Sequence, residues 1–442
     1  MNLVRDDVRR LFIKFLIPSV SSALAVAIYS LVDTIAIGQG VGPEGSAACA
    51  LLLPVFSIAS FIGLLTGVGG SVLMSMARGE GSRKTGDAYY TLSIASAVVL
   101  TLAVSIAGFI FQKPFYRLFG ADDVLLPYTY DYGRWIFAFM LSFVLNTVLG
   151  CFIRTDGSPR FVMAATLTGG AVNVFGDWFL VFPMGLGMNG AAIATVAGSV
   201  IQTLMLSGYI LFRKTGLHTV RPSRWLKKTV RIFVSGCGAG VGGLSLIAVS
   251  YIANNQIMAY AGSTALAVYG VLGTVGALFT SIVSGIGQAS QPIAAENFGA
   301  GLYSRCKRAG SFGMITSVIF GGLFSAMCIA FPVEVTGIFM KMTDEAEIIT
   351  PYIMRVFSLA YIPQGAAVFA GYYLQSVDLP KKATIISLLR GIILICPFLV
   401  IFPLVWGGDG IWWAIFTAEM LTGAVSAVFM YRAYSNGKEN NS

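Results

Sequence analysis

The chain has 442 residues, 56% of them hydrophobic and only 11% charged, with a net charge of +9. Soluble domains average about 25% charged residues, so a soluble globular protein is excluded. Apolar runs of about 20 residues or more, enough for a helix to cross a hydrocarbon core, follow one another from end to end, and the short alternating segments of a barrel do not occur.

In chain order the runs predict twelve helical spans near 11–38, 46–76, 88–111, 128–153, 160–183, 189–212, 229–260, 264–293, 308–330, 351–376, 382–404 and 409–432. Residues 1–10 are polar and amphipathic and do not read as a cleavable signal. Basic residues collect in alternate connections. They are Arg5, Arg9, Arg10 and Lys14 at the start, Arg78, Arg83 and Lys84 after the second span, and Arg154 and Arg160 after the fourth. The central stretch adds Arg213, Lys214, Arg221, Arg224, Lys227, Lys228 and Arg231, and later loops Arg305, Lys307, Arg308, Lys381 and Lys382, with Arg432 and Lys438 in the tail. Lys and Arg favour the cytoplasmic side, so both termini are expected inside, and the positive surplus reports topology rather than nucleic-acid binding.

The pattern Phe-Pro-x-x-x-Gly-x-x-Gly occurs at Phe182 to Gly190 and again at Phe402 to Gly410, 220 residues later. Gly67-Val-Gly-Gly answers to Gly285-Ile-Gly-Gln, Leu118-Phe119 to Ile338-Phe339, and Pro159 to Pro380. A duplicated unit follows. The expected fold is an all-α integral membrane protein of twelve helices in two six-helix lobes, related by a pseudo-twofold axis along the membrane normal. The lobes are 1–213 and 229–442, joined by a basic cytoplasmic linker at 214–228.

Charge inside a span costs about 3 kcal/mol or more and marks functional candidates. Asp33 lies in the first span and Asp177 in the fifth, with Asn173 one turn earlier on the same face. Thr195 enters the sixth span after a short outer loop, at similar depth. Oxygen ligands of this kind can replace the hydration shell of Na⁺, or one carboxylate can hold a proton. The opposing reading makes the same residues helix caps or bridges. Arg390 and Glu419 form a candidate polar pair in the second lobe, either neutralising one another or lining a cavity. Arg134 and Arg355 sit near outer helix ends, where long side chains snorkel. The six cysteines, with no CxxC, read as packing residues, and the single His218 as a solvated linker residue. No Walker motif occurs, so ATP hydrolysis is not expected, nor is any enzyme constellation or bound cofactor. The glycines from Gly236 to Gly243 read as a close-packing stretch rather than a phosphate loop.

These features together resemble the MATE family (multidrug and toxic compound extrusion) along essentially the whole chain, and most of all its bacterial MepA-like branch. The resemblance rests on the six-plus-six repeat, Val32-Asp33-Thr34, Ala77-Arg78-Gly79, Arg154-Thr-Asp-Gly-Ser-Pro159, and Asn173-x-x-x-Asp177 followed by Thr195. It implies a monomeric efflux transporter of the bacterial plasma membrane. Such a transporter exports bulky cationic or amphipathic compounds by H⁺ or Na⁺ antiport, through alternating access of two lobes around a central cavity. It also implies that Asp33, Asn173, Asp177 and Thr195 bind the coupling cation, and that Pro18, fifteen residues before Asp33, bends the first helix. NorM-type members carry an acidic residue in the seventh helix. Here that stretch reads Ala253-Asn-Asn-Gln, so no second-lobe Na⁺ site of that kind is expected. A flippase for lipid-linked oligosaccharides, of the same superfamily, is the alternative, against which the scarcity of basic residues in the spans counts.

Overall fold

The computed structural model describes residues 2–212 and 215–439, with side chains as far as Ser435. Arg213 and Lys214, where the predicted lobe and linker meet, lie outside the described residues, as does the side chain of Lys438. Every described element is helical. In a hydrocarbon environment the backbone must satisfy its own hydrogen bonds, and consecutive apolar runs can do so only as helices.

The first six helices are α1 (Val8–Gly40), α2 (Pro43–Gly79), α3 (Arg83–Leu118), α4 (Leu125–Thr155), α5 (Pro159–Val181) and α6 (Gly187–Phe212). The next three are α7 (Trp225–Tyr260), α8 (Gly262–Gly299) and α9 (Tyr303–Ala330). They are followed by α10 (Pro332–Phe339), α11 (Asp344–Ser358), α12 (Tyr361–Ser376), α13 (Pro380–Leu388), a π turn (Leu389–Ile393), α14 (Ile395–Trp406) and α15 (Gly408–Glu439). Among the described residues, eleven helical segments are long and apolar enough to cross a membrane. α5 stands outside that set; Asn173 and Asp177 lower its apolarity. The predicted tenth span is two helices, α11 and α12, interrupted at Leu359 and Ala360, with α10 before them. The predicted eleventh is broken by the π turn.

Two compact units result. One comprises Ile17–Gly240, the other Asn2–Leu16 with Val241–Ser442. Both α1 and α7 therefore divide between units, α1 next to Pro18 and α7 within the glycine stretch. α1 runs on through Pro18 as a helix, and Ser22 Oγ donates to the Pro18 carbonyl at 2.7 Å. The opening residues are tied within the second unit. Asn297 Nδ2 donates to the Leu3 carbonyl at 3.0 Å, and Arg305 donates to the carbonyls of Leu3 and Asp6.

The repeated Phe-Pro segment shares its glycine geometry in both copies, although Phe182-Pro183 follows the end of α5 whereas Phe402-Pro403 lies inside α14. Gly187 and Gly407 adopt φ of +52° and +60°, the left-handed region that side chains disfavour. Three residues on, Gly190 and Gly410 bring the next helix so near a preceding carbonyl (Leu180, Phe402) that a Cβ would crowd it. Pro159 and Pro380 likewise both open a helix at its first turn, where a missing N–H costs nothing.

Candidate cation site and relatives

The site is assembled in the first unit by small residues that let helices approach. A Cβ on Gly169 would lie 2.7 Å from the Gly198 carbonyl, and one on Gly176 would lie 2.8 Å from Ala194 Cβ, so α5 and α6 meet almost backbone to backbone. α1 packs on α5 in the same way. A Cβ on Gly170 would lie 2.8 Å from the Tyr29 ring, and Gly40 abuts Val181. This packing carries Asp33 from α1, Asn173 and Asp177 from α5, and Thr195 from α6 to one place.

All four residues singled out in the sequence are joined there. Asn173 Nδ2 donates to Asp177 Oδ2 at 3.1 Å and to Thr195 Oγ1 at 3.3 Å, and Thr195 Oγ1 donates to Asp33 Oδ1 at 3.2 Å. Thr195 and Asn173 thereby link the two carboxylates through a continuous chain of hydrogen bonds. A fifth member, Tyr132 of α4, donates to Asp33 Oδ2 at 3.3 Å and lies 3.2 Å from Thr195 Oγ1. No sequence signal marked Tyr132 among 18 tyrosines. Asp177, Asn173 and Tyr132 are buried, at 0%, 3% and 1% exposure.

Two acceptors in this cluster lack donors: Asn173 Oδ1 and Asp177 Oδ1 are buried without a hydrogen-bond partner. An orphaned acceptor in a low-dielectric site is costly. A hard monovalent cation or a proton would satisfy these oxygens, and the all-oxygen donor set suits either. A transition metal finds no suitable ligand group among the described residues.

Further along α6, a second polar group follows at helical spacing. Ser142 and Ser199 hydroxyls lie 2.8 Å apart, Asn146 Nδ2 donates to Ser199 Oγ at 3.0 Å, and Thr203 Oγ1 donates to Asn146 Oδ1 at 2.8 Å. Thr195, Ser199 and Thr203 thus share one face of α6. The sequence reading did not find this group.

Arg134 does more than snorkel: its Nη2 donates to Asn189 Oδ1, inside the repeated Phe-Pro turn, at 2.6 Å, with Asp131 at 3.6 Å. Asp378 occupies the turn before α13 at φ +57°. Cys151, Cys306, Cys328 and Cys396 are buried packing residues, and His218 is exposed. Arg390 and Glu419 do pair, Nε to Oε1 at 2.9 Å, in the second unit.

A duplicated set of apolar helices with a buried oxygen cluster in the first copy defines a multi-pass membrane transporter. The MatE family model matches residues 18–179 and 241–401, one match in each half, and the chain belongs to that family. It is 25% identical to the multidrug export protein MepA of Staphylococcus saprophyticus over 424 residues, covering 94% of this chain and 92% of that one. It is also 25% identical to a protein of Shewanella oneidensis named FAD transporter over 436 residues, covering 95% and 94%. Among solved structures, an outward-facing multidrug resistance MATE transporter superposes with a TM-score of 0.91 at 21% identity, covering 99% of this chain and 98% of that one. MATE structures in bent and straight conformations match with TM-scores of 0.90 and 0.91, at the same identity and coverage. The twelve-helix, two-lobe arrangement expected from the sequence is the fold of this family.

Proposed function

We propose that the protein is an antiporter of the bacterial plasma membrane, both termini cytoplasmic, exporting bulky cationic or amphipathic organic compounds in exchange for H⁺ or Na⁺. It acts without ATP, catalyses no covalent chemistry and works as a monomer. The observation that supports this most is the pair of donor-less buried oxygens, Asn173 Oδ1 and Asp177 Oδ1, within the Asp33–Asp177 cluster. Such a cluster is incomplete until a cation arrives. The relative named for multidrug export supports the direction of transport.

The physical requirement for coupling is a cation that binds one conformation more tightly than another. The path of α1 suggests how that difference arises. Asp33 lies in the part of α1 that belongs to the first unit, whereas residues 2–16 belong to the second. Between them stands Pro18, whose ring removes one N–H donor from the helical ladder and so weakens it against bending. A cation that draws Asp33 toward α5 and α6 displaces one end of a rod whose other end is held by Asn297 and Arg305. Pro18 is the hinge in this scheme. The remaining polar group around Ser199 and Thr203 gives a departing cation oxygen neighbours beyond Thr195.

The test is efflux of ethidium from everted vesicles containing the full chain, driven in turn by an imposed pH gradient and an imposed Na⁺ gradient. Accumulation that follows one gradient and collapses with it is expected. Accumulation that needs ATP and ignores both gradients would overturn the proposal.

A further inference from the structure

The second unit holds a buried ion pair that the coupling scheme leaves unused. Arg390 lies on the π turn and Glu419 in the middle of α15, with Nε and Oε1 2.9 Å apart. Their side chains are 21% and 5% exposed. An arginine and a carboxylate that serve only to neutralise each other favour the two-pronged arrangement, in which both carboxylate oxygens receive N–H donors. Here only one prong is used. Glu419 Oε2 is buried without a partner, and among the described residues neither Nη1 nor Nη2 of Arg390 has a hydrogen bond within the protein. The pair thus has two N–H-bearing nitrogens and a buried acceptor that find no partner among the described residues.

The backbone holds Arg390 in place. Leu394 N–H bonds the Leu389 carbonyl at 3.1 Å, five residues back, which widens the helix by one residue at Arg390. Gly391 abuts Ser245 of α7 so closely that a Cβ would overlap it, wedging the turn against its neighbour. π turns are less stable than the α-helix that the same residues could form, and they concentrate at functional sites. A buried ion pair is also weak evidence of a stabilising role, since apolar residues commonly replace such pairs at little cost. The offset of 220 residues sets Arg390 opposite Gly170 and Glu419 opposite Ser199, on α5 and α6. α5 presents the carboxylate of Asp177 in the first copy, and its counterpart presents the guanidinium of Arg390 in the second.

We propose that Arg390 and Glu419 form a recognition subsite for the carboxylate or phosphate group of an organic cargo. Arg390 Nη1 and Nη2 grip two anionic oxygens, and Glu419 Oε2 accepts from a neighbouring N–H or O–H of the same molecule. The substrate range then includes zwitterionic and anionic amphiphiles as well as cations. The inference rests on the transport reading only in taking the ligand to be cargo.

The test uses the purified full chain in detergent and two dyes, fluorescein with its carboxylate and ethidium as a permanent cation, each followed by fluorescence anisotropy. The double variant Arg390→Gln with Glu419→Gln keeps the site neutral and near its original volume, so it should fold. It should bind fluorescein at least about tenfold more weakly and ethidium within about twofold of the parent. Glu419→Gln alone keeps an acceptor in its amide oxygen but removes the charge that competes for Arg390, and should tighten fluorescein binding, an effect that a purely structural pair would not produce. Equal loss of both dyes, no change for fluorescein, or an effect confined to added phosphatidylglycerol would each overturn the proposal. Because binding is read without any gradient, a failure of antiport would leave the result standing.

Discussion

Asn173 and Asp177, one turn apart on α5, are joined by an Nδ2–H···Oδ2 hydrogen bond of 3.1 Å, yet each keeps a buried oxygen with no donor. The pair holds itself in position and leaves one side open. Asp33 closes that side from α1 through Thr195. A site assembled from separate helices can report occupancy as movement, because its occupant adds attraction between elements joined at that point by a few side-chain hydrogen bonds.

Asp33→Asn and Asp177→Asn should each remove gradient-driven ethidium efflux from everted vesicles, by about tenfold or more, since an amide brings its own donor to an oxygen that needs one. Ethidium binding to the purified variants should stay near the parent value. Efflux persisting in both variants would show that the cation binds elsewhere.

Tyr132→Phe keeps a ring that packs near Phe56 but deletes the hydroxyl between Asp33 and Thr195. One neutral hydrogen bond to a carboxylate is worth about 1.5–3 kcal/mol. The apparent affinity for the driving cation should fall by about tenfold, with maximal efflux at saturating gradient largely retained. A variant that loses maximal rate and keeps cation affinity would assign Tyr132 to a different step.

Arg78 and Asp156 belong to two separate sequence motifs and meet at 3.3 Å. Arg78 Nη2 also donates to the Gly216 carbonyl at 2.7 Å, while Asp156 accepts from the Gly216 N–H at 3.1 Å and from Tyr209 at 3.3 Å. Together they hold the linker against the ends of α2, α4 and α6. Asp156→Ala should therefore speed tryptic cleavage after Arg224 in purified protein, by several-fold, with little change in the rest of the digestion pattern. Unaltered cleavage would mean that the linker is held by other contacts.

The sequence disclosed the cluster because its chemistry is improbable where it stands: carboxylates in apolar runs, at helical spacing, with a hydroxyl one short loop away. The same logic found Arg390 and Glu419. It could not find Tyr132, whose residue type is at home in any span, nor the Ser142–Asn146–Ser199–Thr203 group, because hydroxyls and amides are common enough in membrane helices to carry no alarm. The duplication foretold the matching turns at Gly187 and Gly407. It did not foretell that α1 and α7 each divide between the compact units, since helical continuity hides where one packing neighbourhood gives way to the next. The π turn was invisible for a similar reason. Leu389–Ile393 is an ordinary apolar stretch, and its extra residue shows only in the hydrogen bonds.

The glycines of α7 separate close approach from free space. A Cβ at Gly236 would overlap the Leu65 carbonyl of α2, whereas at Gly243 it would meet nothing within 4 Å. Gly236→Ala should lower the midpoint of thermal unfolding in detergent, through overpacking worth about 1–3 kcal/mol. Gly243→Ala should leave it unchanged or raise it slightly, because alanine favours the helix. Equal midpoints for the two variants would contradict the close packing of α2 on α7.

Pro18 is the most informative single position for the coupling scheme, because it stands where α1 passes from one compact unit to the other. Alanine there restores an N–H to the helical ladder and stiffens the rod without touching Asp33, Asn173, Asp177 or Thr195. Pro18→Ala should leave thermal stability equal or higher and ethidium binding intact. Cation binding at the Asp33 cluster should also survive, read by the protection of a cysteine introduced at Ala36 on the same helix. Gradient-driven efflux should nevertheless fall by about tenfold, because cation occupancy no longer changes the shape of α1 enough to favour one conformation. The combination is what distinguishes a hinge from a packing residue. If efflux and stability fall together, Pro18 is merely structural. If efflux is unaffected, the cation acts through some element other than α1.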